Sequence, residues 1–241
     1  MKNLISTLVF ILIFAAVGAM AFAAAPRGDV AEESTAVQPG APAADIATQQ
    51  EVPDATTATA NYNMIAMPLD ASGSISPWNA DGLADYIDAS AVDRVLAWDA
   101  SAGVYKSWYN NLGVGDEIPL SVGGVYFIRV NSTNPSLTTA SFVGDVPAQG
   151  SVQFNLTYTG GSCTYNTVSI PLDRGDLATP GELAADMGGS SAVDRVLQWN
   201  ATSQTWQTYY VSLGVGDFSS VQIGYPYFVC VKSSFTWPTY P

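Results

Sequence analysis

The groups in this chain that could do chemistry are carboxylates, hydroxyls and a single pair of thiols. Its 241 residues carry 21 Asp and Glu against 8 Lys and Arg, a formal net charge of −13, and no histidine. Without imidazole the commonest general base and the commonest transition-metal ligand are both missing. Catalysis would have to rest on carboxylates, hydroxyls or a rare lysine. No glycine-rich phosphate loop, paired-carboxylate signature or nucleophile elbow is present, so the chain reads as a non-enzyme without a cofactor. Its negative field repels phosphate backbones, which argues against nucleic acid as a partner.

Four sets of side chains remain as candidates. Asp116 and Asp217, each in a Leu-Gly-Val-Gly-Asp loop, are weak calcium candidates. Glu117 or Asp99 would have to complete the first site, yet Phe218 and Asn200 stand at the matching places of the second. No Asp-x-Asp-x-Asp spacing supports them either. Cys163 and Cys230 are the only cysteines; in an exported chain an even pair is expected to form a disulfide. Trp108, Tyr109, Tyr209 and Tyr210 are candidates for a ligand or partner surface, because two adjacent aromatics on one strand cannot both point inwards. Lastly, Asp93-Arg94 recurs as Asp194-Arg195. Neighbours on a strand face opposite ways, so these are expected not to pair with each other but to serve the rim of the core.

The elements that position these residues come in two copies. Ala91-Val92-Asp93-Arg94-Val95-Leu96 returns as Ala192-Val193-Asp194-Arg195-Val196-Leu197, Trp98 as Trp199, and Tyr126-Phe127 as Tyr227-Phe228. Each copy opens on a short apolar strand (Asn63 to Met67, Asn166 to Ile170) that stops at a proline. A short helix follows. Thr179-Pro180-Gly181-Glu182 carries the N-cap, the first-turn proline and the capping-box glutamate, and Asn79 caps the equivalent helix. Next come a β-hairpin and a strand over 125–130 or 226–231. On the first hairpin strand, Leu96 and Trp98, and in the second copy Leu197 and Trp199, are expected to form the structural core. The opposite face, where Ala97 is replaced by Gln198, should be partly wet. The proline of Tyr225-Pro226 is expected to move its strand towards a sheet edge. Copy two has only Ser233 to Pro241 for a final strand, so its last edge is expected to lie open for a partner strand.

Before the repeats, Met1-Lys2, an apolar run from Leu4 to Phe22 and Ala21-Phe22-Ala23 spell a signal peptide over residues 1–23. Residues 24–60, an acidic Ala/Thr/Pro-rich stretch, cannot bury enough apolar surface to offset the entropy of ordering and read as a disordered stalk. The modules then occupy 61–148 and 149–241. Arg27-Gly28-Asp29 and the sequons at Asn131, Asn155 and Asn200 are short enough to occur by chance.

The motif order resembles a tandem β-rich repeat of secreted and surface-attached proteins of bacteria and archaea. Its pattern runs Asn-Leu-Ile-Ser-Leu-Pro-Leu, a short helix, Val-x-x-Val-x-x-Trp, and Gly-x-Gly-Tyr-Phe-Val. Here Asn63 to Leu69, Val92 to Trp98 and Gly123 to Ile128 carry it, and again Asn166 to Leu172, Val193 to Trp199 and Gly224 to Val229. The resemblance implies an extracellular location and a modular build, with no catalytic residues to transfer. The expectation is therefore a mainly β chain of two sandwich- or barrel-like modules, each with one helix. It would be an exported structural protein of the cell surface, a filament or a sheath. Its partners would be copies of itself or other surface proteins, and a membrane only through an uncleaved leader. Glycan binding by the hairpin aromatics is the alternative.

Overall fold

The structure is a computed structural model that describes residues 46–51, 61–131 and 139–240. The leader, most of the expected stalk and the Arg-Gly-Asp triplet lie outside the described residues. In chain order the first module contains β1 (Ile46–Glu51), β2 (Asn61–Ala66), α1 (Ala80–Asp88), β3 (Val92–Asp99), β4 (Val104–Tyr109), β5 (Val114–Gly115), β6 (Val125–Val130) and β7 (Thr139–Gly144). The second contains β8 (Phe154–Leu156), β9 (Thr164–Ser169), α2 (Pro180–Asp186), β10 (Val193–Asn200), β11 (Thr205–Tyr210), β12 (Val215–Gly216), β13 (Pro226–Val231) and β14 (Phe235–Trp237). The chain is mainly β, built as two sandwich-like modules.

Each module has one antiparallel five-stranded sheet, in the order β2-β6-β3-β4-β5 and β9-β13-β10-β11-β12, and one two-stranded ribbon, β1-β7 or β8-β14. The repeat in sequence is thus a repeat in topology. Residues 46–51, inside the stretch 24–60 expected to be a disordered stalk, instead supply β1, whose backbone pairs antiparallel with β7. The helices begin where the local sequence says they should. Asn79 accepts from the Gly82 amide at 3.0 Å, and Thr179 and Glu182 close a reciprocal capping box. Leu83 and Leu183 are fully buried beneath them, so the helix and the ribbon together cover one face of each sheet.

Which face they cover departs from expectation. Val92 and Val95, with Val193 and Val196 in the second copy, lie in the module cores and are at most 1% exposed. Leu96, Trp98, Leu197 and Trp199 point the other way, into a separate cluster formed between the two sheets. The face expected to be partly wet is therefore the module core, and the Leu/Trp face is where the modules meet.

Two further expectations change for identifiable reasons. The register of β10 against β13 shifts between Val193 and Arg195. The same shift occurs between Val92 and Arg94 in copy one, and a bulge of this kind breaks strict alternation in both copies; in copy two Arg195 Nη2 lies 2.7 Å from Asp194 Oδ2. In copy one Asp93 instead approaches Arg129 at 3.6 Å. The Arg129 position is Cys230 in copy two, where Asp194 also approaches Lys232 at 3.4 Å. Pro226, in turn, does not push β13 to an edge. It is the first residue of a strand paired on both sides, a position where a missing amide is tolerated.

The C-terminal strand is short, as expected, but it is paired. β14 lies antiparallel to β8, and Trp237 is fully buried in the second core. Its indole donates to Asp186 Oδ2 at 2.6 Å, the oxygen that also accepts from Arg174 Nη1 at 2.8 Å. Asp186 ends α2, where a negative charge opposes the helix dipole; the two donors compensate. The Arg174 hydrogen bond holds the Asp186 carboxyl below the usual carboxylate range, against desolvation and with help from Trp237. A depressed folded-state value contributes stability above the unfolded value, about 4, that is lost as pH falls through the folded value. Asp186→Asn is accordingly expected to flatten the fall in thermal midpoint on acidification below about pH 4. A profile parallel to the parent's would remove this group from the acid response.

Candidate functional site

The face shared by the two sheets gathers most of the aromatic side chains that the repeats have in common. Phe127 and Phe228 lie at its centre, with Tyr62, Trp98, Tyr165, Trp199 and Trp206 packed around them. Trp98 Nε1 donates to the Tyr165 carbonyl at 2.6 Å, and Trp199 Nε1 donates to the Tyr62 carbonyl at 2.8 Å. Tyr62 and Tyr165 are equivalent residues of the two copies, as are the two tryptophans, so the modules bond to each other by one reciprocal rule and are related by an approximate two-fold.

The symmetry is broken by the hairpin tips. Gln204 is the single described non-glycine residue with a left-handed φ (54°); the matching residue is Gly103, at φ 67°. Its carboxamide accepts from the Tyr62 amide and donates to the Tyr62 carbonyl, both at 2.9 Å, and so extends the outer edge of β2 by one rung. A conformation that costs a non-glycine residue roughly 1 kcal/mol is offset by two hydrogen bonds between modules.

Two clefts of about 290 Å³ each open on this face. One is lined by Tyr62, Leu96, Phe127 and Trp199, and the other by the equivalents Tyr165, Leu197, Phe228 and Trp98. Both are bordered by Tyr105 and Trp206, themselves equivalent residues on β4 and β11. Burial pushes the Tyr105 phenol up to about 12.

The residues singled out from sequence lie elsewhere. Trp108 and Tyr209 pack against the two module cores. Tyr109 and Tyr210 emerge on the opposite face of their strands and are covered by arginine, Arg94 at 4.2 Å and Arg195 at 5.5 Å from the ring centroids. These four therefore do not form one aromatic surface: alternation sends each neighbouring pair to two different environments. Asp116 and Asp217 fold back onto the adjacent strand, accepting from the Ser107 amide at 2.7 Å and the Thr208 amide at 3.0 Å. Each carboxylate thereby occupies the next outward rung of β4 or β11, beyond the two residues paired to β5 or β12, a way of blunting a sheet edge. Among the described residues no group of three or more His, Cys, Asp or Glu comes together as a metal site. Cys163 and Cys230 form a disulfide. The loops before Asp116 and Asp217 project their apolar residues: Leu112 and Leu213 are 65% and 70% exposed, and Val114 and Val215 are 54% and 59% exposed.

Sequence reasoning missed Gln204, Tyr105 and Trp206. The signal for Gln204 was present, since it replaces a glycine at the tip of the repeated hairpin. Tyr105 and Trp206 were legible only as members of an aromatic return strand.

Fold and site together define a class: a two-module, antiparallel β protein whose modules are joined sheet to sheet by an aromatic seam, with one disulfide inside the second module. No protein-family model, curated protein or solved structure matches the chain. Among the described residues no helix is long and apolar enough to cross a membrane.

Proposed function

We propose that this chain is an exported structural protein of the cell surface, a rigid two-module unit that associates with its own copies through the paired Leu/Val loop tips. Export is supported by the leader pattern and the disulfide, which persists in oxidising compartments. The observation that carries the assembly reading is the duplication of exposure. In a strongly acidic chain, Leu112 with Val114 and Leu213 with Val215 are displayed at equivalent places instead of being scattered singly.

The outer strand edges are a poorer means of contact. Gln204 bonds the outer edge of β2, and Asp116 and Asp217 blunt β4 and β11. Burying one Leu or Val side chain contributes about 1.5–3 kcal/mol, set against an association cost of several kcal/mol. One tip alone gives a weak contact; two tips per molecule permit chains held by avidity.

Sedimentation velocity on the mature protein over a concentration series tests this. Concentration-dependent assembly is expected for the parent, and loss of it for Leu112→Ser/Leu213→Ser. A parent that stays monomeric near about 1 mM, where even a contact of only ~4 kcal/mol would half-assemble, would sink the reading.

A further inference from the structure

The second copy contains a pocket built from residues that the first copy lacks. It has a volume of about 240 Å³ and lies where β10, β11 and the start of β13 meet β2 of the first module, lined by Asn63, Gln198, Trp199, Asn200, Gln207 and Tyr225 among others. Four of those six depart from the repeat: Gln198, Asn200, Gln207 and Tyr225 stand where copy one has Ala97, Asp99, Lys106 and Gly124. In copy one Lys106 and Asp99 face each other as an ion pair at 3.7 Å. In copy two both charges have been exchanged for carboxamides, and a phenol ring has been added beside them.

We propose that this pocket binds a single ring of a neutral saccharide. Its lining residues include no charged side chain, so a carboxylate, phosphate or ammonium ligand would enter without a counter-charge. Carboxamides offer both donors and acceptors, which is what a hydroxyl, itself donor and acceptor, requires. Apart from its backbone pairing with β11, Gln198 makes no side-chain hydrogen bond to another described residue. Gln207 makes only a long one, Nε2 to the Asp217 carbonyl at 3.4 Å, so both side chains are free to turn to a ligand.

Tyr225, half-buried and packed at the rim of the second core, brings a ring that is apolar on its faces, suited to the C–H face of a pyranose, while Trp199 borders the pocket from the aromatic seam. The Trp199 indole N–H is already committed to the Tyr62 carbonyl, which fixes the ring before any ligand arrives. The volume is below the roughly 300 Å³ at which drug-sized ligands are held, and that points to one ring. The pocket is independent of the Leu/Val tips, so it stands or falls separately from self-association.

The test is saturation-transfer NMR on the full mature chain with glucose, galactose, mannose and N-acetylglucosamine, and with glucuronate as the charged counterpart. Saturation of ring protons of at least one neutral hexose is expected, with weaker or no transfer to glucuronate. Gln198→Ala, Asn200→Asp and Gln207→Lys each install the residue that copy one carries. Combined, they should weaken binding at least about tenfold with the thermal midpoint unchanged. If that triple variant fails to fold, Gln198→Ala alone should still cost about threefold or more, one hydrogen bond's worth. Absence of binding to every neutral hexose at about 50 mM, equal binding by the folded variant, or a preference for glucuronate would each overturn the proposal.

Discussion

Trp237→Ala is expected to destabilise the protein by about 3–5 kcal/mol. Trp237 is the last residue of a three-residue strand, yet only 1% of it is exposed and its ring stacks on Phe154 at 5.8 Å between centroids. Truncation removes the largest fully buried side chain among the described residues. It also leaves Asp186, at the end of α2, with Arg174 as its remaining side-chain donor. The two contributions separate by chemistry. Trp237→Phe keeps most of the apolar volume and loses the donor, which should cost about 1–2 kcal/mol. Phe142→Ala, in the ribbon of the first module, deletes a comparable buried ring that carries no polar group. Urea denaturation with a shared m-value compares the three. A Trp237→Ala cost below about 1 kcal/mol would mean that the tail is an ornament on the second module and not part of its core.

The same residue shows what could and could not be read ahead of the structure. Shortness of the last strand was legible by counting residues after Val231. That it would be closed by β8 was not, because β8 and β14 are remote in sequence and their pairing is a tertiary event. The helix starts were legible for the opposite reason. Asn79, Thr179 and Glu182 act within one turn of where they stand, and such signals survive any tertiary context.

The inversion of the β3 and β10 faces has a different origin. The sequence led to the expectation that Leu96 and Trp98 form the core of their own module while the face carrying Gln198 is partly wet. Here both faces of each sheet are covered, one by the helix and ribbon of its own module and one by the other module. Val95 and Trp98 are therefore both sheltered. Nothing local distinguishes an aromatic that packs within a module from one that packs against a second copy. The duplication itself was the clue: a repeated face of Leu, Trp and Phe is what two like sheets need in order to meet. The pairing of Arg195 with Asp194 was hidden for a narrower reason: both copies carry the bulge, and only in the second, where Cys230 stands in place of Arg129, does the aspartate turn to its own neighbour.

Removal of the disulfide by Cys163→Ala/Cys230→Ala is expected to lower stability by about 4 kcal/mol, the loop-closure entropy for a separation of 67 residues. The native state gives the bond little to do. Cys230 already pairs with Tyr165, and Val231 with Thr164, through the β13-β9 ladder, so the covalent link joins strands that hydrogen bonds hold in place. Its effect falls on the unfolded chain, which it keeps from separating β9 and β13. The consequence for architecture lies at β9, an outer strand of the second sheet whose Tyr165 carbonyl accepts the Trp98 indole from the first module. In the double-alanine variant the amides of β9 are expected to lose hydrogen-exchange protection before those of β10, which is held on both sides. Phe127 and Phe228 meet across the same seam, so loosening β9 should also lower the midpoint of the first module, although both cysteines belong to the second. Equilibrium denaturation of the oxidised and double-alanine proteins gives the stability difference, and exchange mass spectrometry gives its location. A difference below about 1 kcal/mol, or uniform loss of protection across both sheets, would show that the bond does not act through β9.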